Sequence, residues 1–384
     1  MARSLELFAG GGGMALGTHL AGFDHELLVE WEEKACATLR VNGGTPEWPW
    51  DADRVLRADV RDHVRELADD PQGLDDIDLL AGGPPCQPFS LGGEHRGATD
   101  ERNMFPAALD YVRALAPKTV IFENVPGLLR GSFLPYFEYI EDQLRWPTVR
   151  RRRNEWWGEH AARLRKSRRA SRVSLSYEVH RQVINAADLG APQSRKRVFL
   201  VGVRSDIAER NAWWPVPVTH SRATLISAQA EGSYWEEHEL EHPRHCVTPL
   251  PLGEFNALQR WRTVRDMLAG LPEPVEGREA PGVTNHVGIP GAKAYPGHTG
   301  SRMDWPAKTF KAGVHGVCGG EAMIRFPDDR LRYMTVRESA RGMGFPDWFR
   351  FLHARSHAMR HIGNAVVVPV ARAVGEHLLK LYHL

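Results

Sequence analysis

The sequence lacks any apolar run close to the roughly 18 residues that a membrane-spanning helix needs. Its N-terminus leads straight into a strand-like segment at residues 5–8, without the apolar stretch of a signal peptide. The four cysteines are too few and too far apart in the chain to indicate a disulfide framework. We therefore expect a soluble, cytoplasmic protein without a membrane partner, and we take it to be a monomer.

Net charge is also nearly absent, because 49 basic residues are balanced by 48 acidic ones. The charged fraction of 25% and the hydrophobic fraction of 42% are close to globular averages, which excludes wholesale disorder. At about 150 residues per domain, the 384 residues predict two or three domains. One strong asymmetry is residues 150–172, which contain ten Arg or Lys and two Glu. This stretch either docks on a polyanion or is a solvated, mobile insertion.

Short apolar runs alternate with amphipathic segments in the first half of the chain, and Gly, Asp and Pro bound these runs. Such alternation predicts βαβ units, and hence an α/β fold with a parallel sheet covered on both faces. The predicted strands are Leu5–Phe8, Glu26–Glu30, Ile77–Ala81, Thr119–Glu123 and Val198–Val203. The predicted helices are Met14–Ala21, Glu32–Val41, Asp62–Ala68, Phe105–Ala114 and Leu134–Leu144.

The alternation is lost in residues 206–330, where twelve prolines interrupt every longer pattern. This region predicts a loop-rich second domain. Helix-like segments return at Val336–Met343 and Ile362–Leu381. We find no internal repeat.

The first candidate site is a glycine-rich turn, Phe8–Gly13, between a predicted strand and a predicted helix. Glycines there allow the backbone to approach a ligand closely and expose the N–H groups at the start of the helix. Dinucleotide-binding proteins use similar turns, and a purely structural turn is the other interpretation. Glu30 and Asp59 end the next two elements, where an acid can bind ribose hydroxyls. A glycine turn followed by two acids favours a nucleoside ligand over a bare phosphate.

The second candidate site is a cysteine that follows the predicted strand Ile77–Ala81. Pro84 and Pro85 fix the backbone before Cys86, and ligands of open α/β sheets bind at strand ends. A thiolate there can act as a nucleophile if its surroundings lower its pKa. A lone cysteine is usually a small buried hydrophobe, but the surrounding segment Gly82–Ser90 favours the nucleophile.

Two further motifs place charge at strand ends. Glu123 and Asn124 end a predicted strand, and a carboxyl group near Cys86 would suit proton donation. Arg195 and Arg197 alternate along an extended segment and should share one face. Two guanidinium groups on that face could hold base oxygens or phosphates.

Together, these motifs resemble those of the bacterial DNA cytosine-5 methyltransferase family. The resemblance runs in order from residue 5 to residue 369 and so covers nearly the whole chain. Several motifs in one order are far more specific than any single motif. The matching segments are Phe8–Gly13, Pro84–Gln87, Glu123–Val125, Gln193–Arg197, Thr335–Glu338, Phe345–Asp347 and Gly363–Val366.

The resemblance implies a Rossmann-like S-adenosylmethionine-dependent methyltransferase sheet with a smaller, loop-rich target-recognition domain. The catalytic domain would comprise residues 1–205 and 331–384, and the target-recognition domain residues 206–330. The implied cofactor is S-adenosyl-L-methionine. The residues implied to bind it are Phe8, Ala9, Gly10, Gly12, Gly13, Glu30, Trp31, Asp59, Val60, Pro85, Met104, Asn364 and Val366.

The implied reaction is methylation at C5 of a cytosine flipped out of duplex DNA. Cys86 would attack C6 of the base, while Glu123 protonates or hydrogen-bonds N3. Arg195 would hold the base at O2, and Asn124 would position Glu123. The segment Gln87–Asn103 would close over the base. The implied catalytic residues are Cys86, Glu123, Asn124, Arg195 and Arg197, and the implied DNA contacts are Gln87, Ser90, Arg96 and Thr309.

The chain departs from the family pattern at few positions. Glu6 stands where Asp is more usual, and residues 150–172 make the stretch between the acid and arginine motifs longer than usual. We expect this basic stretch to contribute phosphate contacts. No metal site is expected, because the spacing within His238–Cys246 matches no strong zinc template.

Three other functions compete with this interpretation. A nicotinamide oxidoreductase would share the glycine turn but would not explain Pro84–Gln87 together with Glu123–Val125. A non-catalytic DNA-binding regulator would be expected to have lost the chemical groups. An RNA cytosine-5 methyltransferase of the same architecture is harder to exclude, although a large region at 206–330 favours reading base edges in duplex DNA. The expected partners are double-stranded DNA and, functionally, a cognate restriction endonuclease.

Overall fold

The computed structural model describes most of the chain. The described residues are 1–48, 50–70, 73–85, 103–167, 174–208, 215–243, 257–296, 298–312 and 322–384.

Close contacts divide the chain into two compact units. Unit 1 comprises Met1–Ile184, Lys196–Pro215 and Ala371–Leu384, and unit 2 comprises Asn185–Arg195 and Val216–Val370. Residues 331–370 therefore group with the second unit by contact. The predicted division into a catalytic and a target-recognition domain stays a prediction.

Unit 1 is built around a seven-stranded sheet. Its strands in chain order are β1 (Ala2–Leu7), β2 (Phe23–Glu30), β3 (Val55–Arg57), β4 (Leu79–Gly82), β5 (Thr119–Asn124), β6 (Tyr177–Asn185) and β7 (Lys196–Arg204). They are arranged in the order β3-β2-β1-β4-β5-β7-β6, and the four pairs from β3 to β5 are parallel. All six residues of β5 are buried, as expected for a parallel strand covered on both faces.

The prediction of an all-parallel sheet is wrong at one edge, because β7 runs antiparallel to β5. The reason lies in the connection that precedes β7. Only residues 186–195 join β6 to β7, and a parallel crossover needs about a dozen residues or more. With so short a connection, β6 and β7 must run in opposite directions, so one of them must oppose the parallel strands and the sheet is mixed. It retains the α/β architecture that the alternating sequence pattern predicts.

Six helices of unit 1 lie between the strands. They are α1 (Gly13–Ala21), α2 (Glu33–Asn42), α3 (Val60–Asp69), α4 (Phe105–Leu115), α5 (Leu134–Arg145) and α6 (Trp157–Ser167). One core joins strands and helices, and Leu5, Leu80, Val120, Val112 and Ile140 are among its members. Five predicted strands and five predicted helices are found within a few residues of their expected ends, whereas β3, β6 and α6 lack a predicted counterpart.

Unit 2 has short elements joined by long connections. Its strands are β8 (His220–Ser221), β9 (Gln259–Arg260), β10 (Glu279–Ala280), β11 (Val283–Val287), β12 (Ser301–Arg302), β13 (Met323–Arg325) and β14 (Leu331–Tyr333). Its helices are α7 (Arg222–Glu231), α8 (Ser233–Glu237), α9 (Val264–Leu268), α10 (Val336–Gly342) and α11 (Arg355–Asn364), and α12 (Val368–Tyr382) begins here and ends in unit 1. Helices α9 and α10 each start with a capping box.

The single helix predicted over Ile362–Leu381 is wrong, because the chain forms α11 and α12 with a break between them. Ala365 is extended at the break. Pro369 is the second residue of α12, and proline is tolerated only in the first turn of a helix because it has no N–H and blocks the preceding turn. The helix must therefore start anew just before Pro369.

None of the helices in the described part of the chain combines the length and the apolar character that crossing a membrane requires.

A buried histidine ties β2 to α1. His25 is 1% exposed, its Nε2 donates to the carbonyl of Ala15 at 2.7 Å, and its Nδ1 lies 2.8 Å from Oγ of Ser4. With Nε2 carrying the proton, Nδ1 accepts from the hydroxyl group. Burial lowers the pKa of His25 from 6.5 to about 4, so the folded state holds the neutral ring.

We expect His25 to make the protein less stable as the pH falls from about 6.5 to about 4. In that interval the unfolded chain binds a proton at His25 that the folded protein does not, and the cost reaches about 3 kcal/mol below pH 4. Urea unfolding of wild type and His25→Gln at several pH values measures this. The two proteins should differ in pH slope within this interval, and equal slopes would contradict the assignment.

Candidate active site

The predicted motifs meet at the carboxyl edge of the sheet. Leu7 is in register with Val29 and Gly82, and Gly82 is in register with Phe122. The glycine turn, Glu30, the Pro84–Pro85 segment and Glu123 follow or end these strands. Their common edge is the place where open α/β sheets bind ligands.

The glycine turn is strongly bent. Gly10 and Gly12 have φ values of +53° and +82°, in the left-handed region that glycine adopts without steric cost. Phe8 also has a positive φ of +57°, which is strained for a residue with a side chain. The turn directs the Gly10 N–H at Oε2 of Glu30 over 2.8 Å. The turn and the end of β2 are therefore one hydrogen-bonded unit.

Glu30 is 6% exposed and uses both carboxylate oxygens on backbone groups. Oε2 accepts from Gly10, and Oε1 accepts from the N–H of Glu32 at 2.8 Å. Burial raises the pKa of Glu30, and hydrogen bonds from Glu32, Gly10 and Trp31 oppose that rise. The side chain is thus fixed in place at the end of β2.

A cavity of about 400 Å³ opens beside Glu30. The indole of Trp31 is 74% exposed at its rim. Asp59, on the opposite element, caps α3 by accepting from the N–H of Arg61 at 2.8 Å. The lining residues are Phe8, Val29, Glu30, Trp31, Ala58, Asp59, Val60, Arg61, Pro85 and Met104.

Seven of the thirteen residues implied to bind a cofactor line this cavity, and Gly10 is bonded to one of them. Val29, Ala58 and Arg61 also line it, although the sequence motifs do not include them. They are neighbours of predicted residues along the same strand ends, and that position was the available signal. Asn364 is exposed and Val366 is buried, and both belong to unit 2. Their predicted contact with the cofactor stays a prediction.

Glu123 forms an ion pair with an arginine on the neighbouring strand. Nε of Arg197 lies 2.9 Å from Oε1 of Glu123, which is 7% exposed. Burial lowers the pKa of Arg197, and the charge of Glu123 opposes this shift. The other oxygen, Oε2, lies beside Gly83, where an added Cβ would be 3.5 Å away. The carboxyl group therefore faces the segment that leads to the predicted nucleophile.

Asn124 fastens the end of β5 to that segment. Its Nδ2 donates to the carbonyl of Pro84 at 2.9 Å, and its Oδ1 accepts from the N–H of Val125 at 2.9 Å. The carbonyl of the next residue, Pro85, accepts from the N–H of Met104 at 3.3 Å. Pro84, Pro85 and Met104, which flank residues 86–102 in the sequence, are thereby held by hydrogen bonds.

Arg195 is placed differently from Arg197. It belongs to unit 2, is 2% exposed, and donates to three backbone carbonyls, those of Phe310, Gly363 and Ala365, at 2.7–3.2 Å. Two of these carbonyls lie at the end of α11, where the last turn of a helix has no intrahelical donors. Arg195 and Arg197 therefore have different kinds of partner, backbone carbonyls and a carboxylate, and their predicted position on one face stays a prediction.

The remaining predicted site residues are less informative. Oγ1 of Thr309 donates to the carbonyl of Ser194 at 2.8 Å within unit 2. Cys86, Gln87, Ser90 and Arg96 lie outside the described residues. Within the described ranges, no three His, Cys, Asp or Glu side chains form a group that could hold a metal ion. His245 and Cys246 are not among those residues.

The chain belongs to the C-5 cytosine-specific DNA methylase family, whose model matches residues 2–145 and 170–380. It is a DNA cytosine-5 methyltransferase. It is similar to the Type II methyltransferase M.NgoMIV of Neisseria gonorrhoeae, with 31% identity over 381 residues that cover 98% of this chain and 97% of the relative. The Type II methyltransferase M.NaeI of Lentzea aerocolonigenes is 28% identical over 382 residues, covering 97% of this chain and 74% of the relative.

Solved structures share the fold. The Dnmt2 methyltransferase of S. pombe aligns with a TM-score of 0.59 and 17% identity over 99% of each chain. The methyltransferase EhMeth of Entamoeba histolytica aligns with a TM-score of 0.54 and 14% identity, over 99% of this chain and 98% of its own. Family and fold confirm the resemblance predicted from the sequence motifs.

We expect Arg195→Ala to reduce the free energy of unfolding by about 3 kcal/mol or more. Each buried carbonyl left without a donor costs about 1–3 kcal/mol. Thermal and urea unfolding measure the change, and Arg278→Ala, at an exposed position of unit 2, is the matched control. Unchanged unfolding together with lost methylation would contradict the structural role and would instead favour a direct role at the base.

Proposed function

We propose that this protein transfers a methyl group from S-adenosyl-L-methionine to C5 of a cytosine in duplex DNA. The observation that carries the proposal is the cavity beside Glu30 at the same sheet edge as the Glu123–Arg197 pair. A nucleoside-sized space next to a buried acid and a guanidinium suits a reaction between a nucleoside cofactor and a base.

The cavity fits S-adenosyl-L-methionine in both size and chemistry. Glu30 and Asp59 offer carboxylate acceptors for ribose hydroxyls, and Trp31 and Phe8 offer aromatic faces for an adenine ring. Val60, Pro85 and Met104 complete an apolar lining. The backbone of Ala9, Gly12 and Gly13 belongs to the adjoining turn. When bound, the cofactor supplies an electrophilic methyl group.

The proposed chemistry begins at Cys86. C5 of cytosine is a poor nucleophile, and addition of the Cys86 thiolate to C6 makes C5 enamine-like. Glu123 protonates or hydrogen-bonds N3, which stabilises the negative charge that develops on the ring. Once C5 carries the methyl group, its proton would pass to water, and the electron pair of that C–H bond would form the C5–C6 double bond as the bond between C6 and sulfur breaks. Cys86 is then regenerated as a thiolate.

The structure favours Arg197 over Arg195 as the group that holds the base. Arg197 pairs with Oε1 of Glu123, so its guanidinium is next to the acid that meets N3. The base oxygen O2 is adjacent to N3 in cytosine, and one guanidinium can therefore serve both the acid and O2. We assign Arg195 to positioning, through the carbonyls of unit 2 that it binds. Asn124 positions Glu123 through its bond to Pro84.

The target carbon is inaccessible inside a duplex, so we propose that the base is flipped out, which costs a few kcal/mol. Gln87, Ser90 and Arg96 in the segment Gln87–Asn103 are proposed DNA contacts, and Thr309 is a fourth. We further propose that residues 206–330 read the sequence and that the enzyme acts in a restriction–modification system, as the names of its Type II relatives suggest. A cognate endonuclease would be a functional partner.

We expect wild type to form 5-methylcytosine in mixed-sequence duplex DNA and Cys86→Ala to form none. Tritiated S-adenosylmethionine and nucleoside mass spectrometry measure the product. Binding of S-adenosylmethionine to both proteins, measured by calorimetry, is the control for folding. Labelling of tRNA but not of duplex DNA would contradict the DNA assignment, and labelling by Cys86→Ala would contradict the nucleophile.

We expect Glu30→Ala to weaken S-adenosylmethionine binding by about 10- to 100-fold. The substitution removes the carboxylate that accepts from the glycine turn and, as proposed, from the ribose of the ligand. A hydrogen bond to a charged group contributes about 1.5–3 kcal/mol. Glu26→Ala is the matched control, because Glu26 is on the same strand but pairs with Arg3 instead. Equal affinities of these two variants would contradict the role of Glu30.

A further inference from the structure

The family model leaves residues 146–169 unmatched, between its two matched segments. We call these residues the insertion; 146–167 are described, and 150–166 include most of the basic stretch. The insertion is therefore a part of this chain that the family model does not match.

The described part of the insertion is folded onto α5. Ala161 and Leu164 of α6 are 4% and 0% exposed and belong to the core of unit 1. His160 is fully buried, donates from Nε2 to the carbonyl of Val149 at 2.7 Å, and lies 2.8 Å from the hydroxyl of Tyr139. The interpretation as a solvated, mobile insertion is therefore wrong for α6, which is a fixed part of the unit.

Two arginines of the insertion form ion pairs with nearby acids. Arg163 pairs with Glu155 at 2.7 Å, and Arg165 pairs with Asp142 at 3.2 Å. Among the described residues, no ion pair involves the run 150–153, which is four consecutive arginines. All four are exposed. The insertion thus presents a run of positive charge that forms no ion pair with any described acid, and Glu155, the acid that follows the run, is paired with Arg163.

Three residues after the exposed run 150–153 comes Trp156, an aromatic side chain with a fixed position. Trp156 is 62% exposed, yet its indole lies directly over Gly158, where any Cβ would collide with the ring. Its ring centre is 5.0 Å from that of Trp157. Because Trp157 packs on Tyr136 and Tyr139, with ring centres 5.4 Å and 5.7 Å away, this surface is rigidly attached to α5.

Tyr136 connects the insertion to the active-site edge. Its hydroxyl accepts from Nδ2 of Asn103 at 2.7 Å, and Asn103 also accepts from the N–H of Phe105 at the start of α4. The next residue, Met104, lines the cavity. The insertion is therefore joined through two side chains to the edge where the base is proposed to react.

We propose that the exposed run 150–153 binds the phosphate backbone of duplex DNA. The inference rests on the proposed function, because DNA is the polyanion on which such an enzyme acts. Four residues span at most about 13 Å, and each DNA strand places a phosphate every 3.4 Å along the helix axis. The run can therefore contact two or three phosphates independently of sequence.

The test compares salt dependence of binding in matched variants. Arg151→Gln/Arg152→Gln/Arg153→Gln removes three unpaired charges. Arg65→Gln/Arg372→Gln/Lys380→Gln lowers the net charge by the same amount at exposed positions of α3 and α12, where Arg65 and Arg372 pair with Asp62 and Glu376. A third variant, with lysine at 151–153, keeps the charge. Anisotropy of a labelled mixed-sequence duplex is measured from about 50 to 300 mM salt, which suffices because phosphate contacts do not require the target sequence.

We expect the glutamine variant at 151–153 to lower the slope of log K against log salt by about 2 in magnitude, at about 0.9 per lost contact. The lysine variant and the variant on α3 and α12 should keep the wild-type slope. S-adenosylmethionine binding by each variant verifies folding. An unchanged slope in the glutamine variant would overturn the proposal.

The same samples separate this inference from the proposed function. If wild type methylates the duplex while the glutamine variant keeps the wild-type slope, only the role of the insertion is wrong. If the slope depends on the insertion but wild type forms no 5-methylcytosine, only the proposed reaction is wrong. An equal loss of slope in the two glutamine variants would indicate general surface charge, and it would overturn a specific role for the insertion.

Discussion

The parallel pairing of β1 with β2 and β4 is the constraint on which the site depends. Parallel strands end at one edge, so the glycine turn, Glu30 and the Pro84–Pro85 segment are neighbours in space although 75 residues separate them in sequence. Gly82 shows how close this approach is, because an added Cβ would lie 2.8 Å from the carbonyl oxygen of Leu7. The backbone geometry therefore comes first, and the chemical groups are attached to it.

Burying carboxyl groups at such an edge is costly unless donors surround them. The carboxylate of Glu30 is stabilised by hydrogen bonds from backbone N–H groups, and that of Glu123 is stabilised by the guanidinium of Arg197. The two solutions have different consequences. Backbone donors cannot move away, so Glu30 suits fixed binding of a ligand, whereas a side-chain partner can rearrange when a base enters, so Glu123 suits chemistry.

Much of this arrangement could be predicted from the sequence, because strand-end motifs carry both the fold and the chemistry. The glycine turn, Glu30 and Asp59 followed from that rule, whereas Trp31 and Met104 were implied by the family resemblance. The separate placement of Arg195 and Arg197 could not be predicted, since alternation along a strand says nothing about a chain that passes from one unit to the other between them. Likewise, α6 could not be predicted, because it is rich in charge. Its few buried residues, such as Leu164, are buried by packing in the core of unit 1, which its own sequence does not show.

The arginines show why overall charge is a poor guide to binding. Arg195 binds carbonyls, Arg197 binds a buried acid, and Arg163 binds Glu155, so none of the three charges is presented to solvent in the same way as the run 150–153. A net charge of +1 averages over all of them. A polyanion interacts with the exposed positive charges that form no ion pair within the protein. In this chain the packing of α6 determines that set, because it holds Arg163 and Arg165 against their acids and leaves the preceding run exposed.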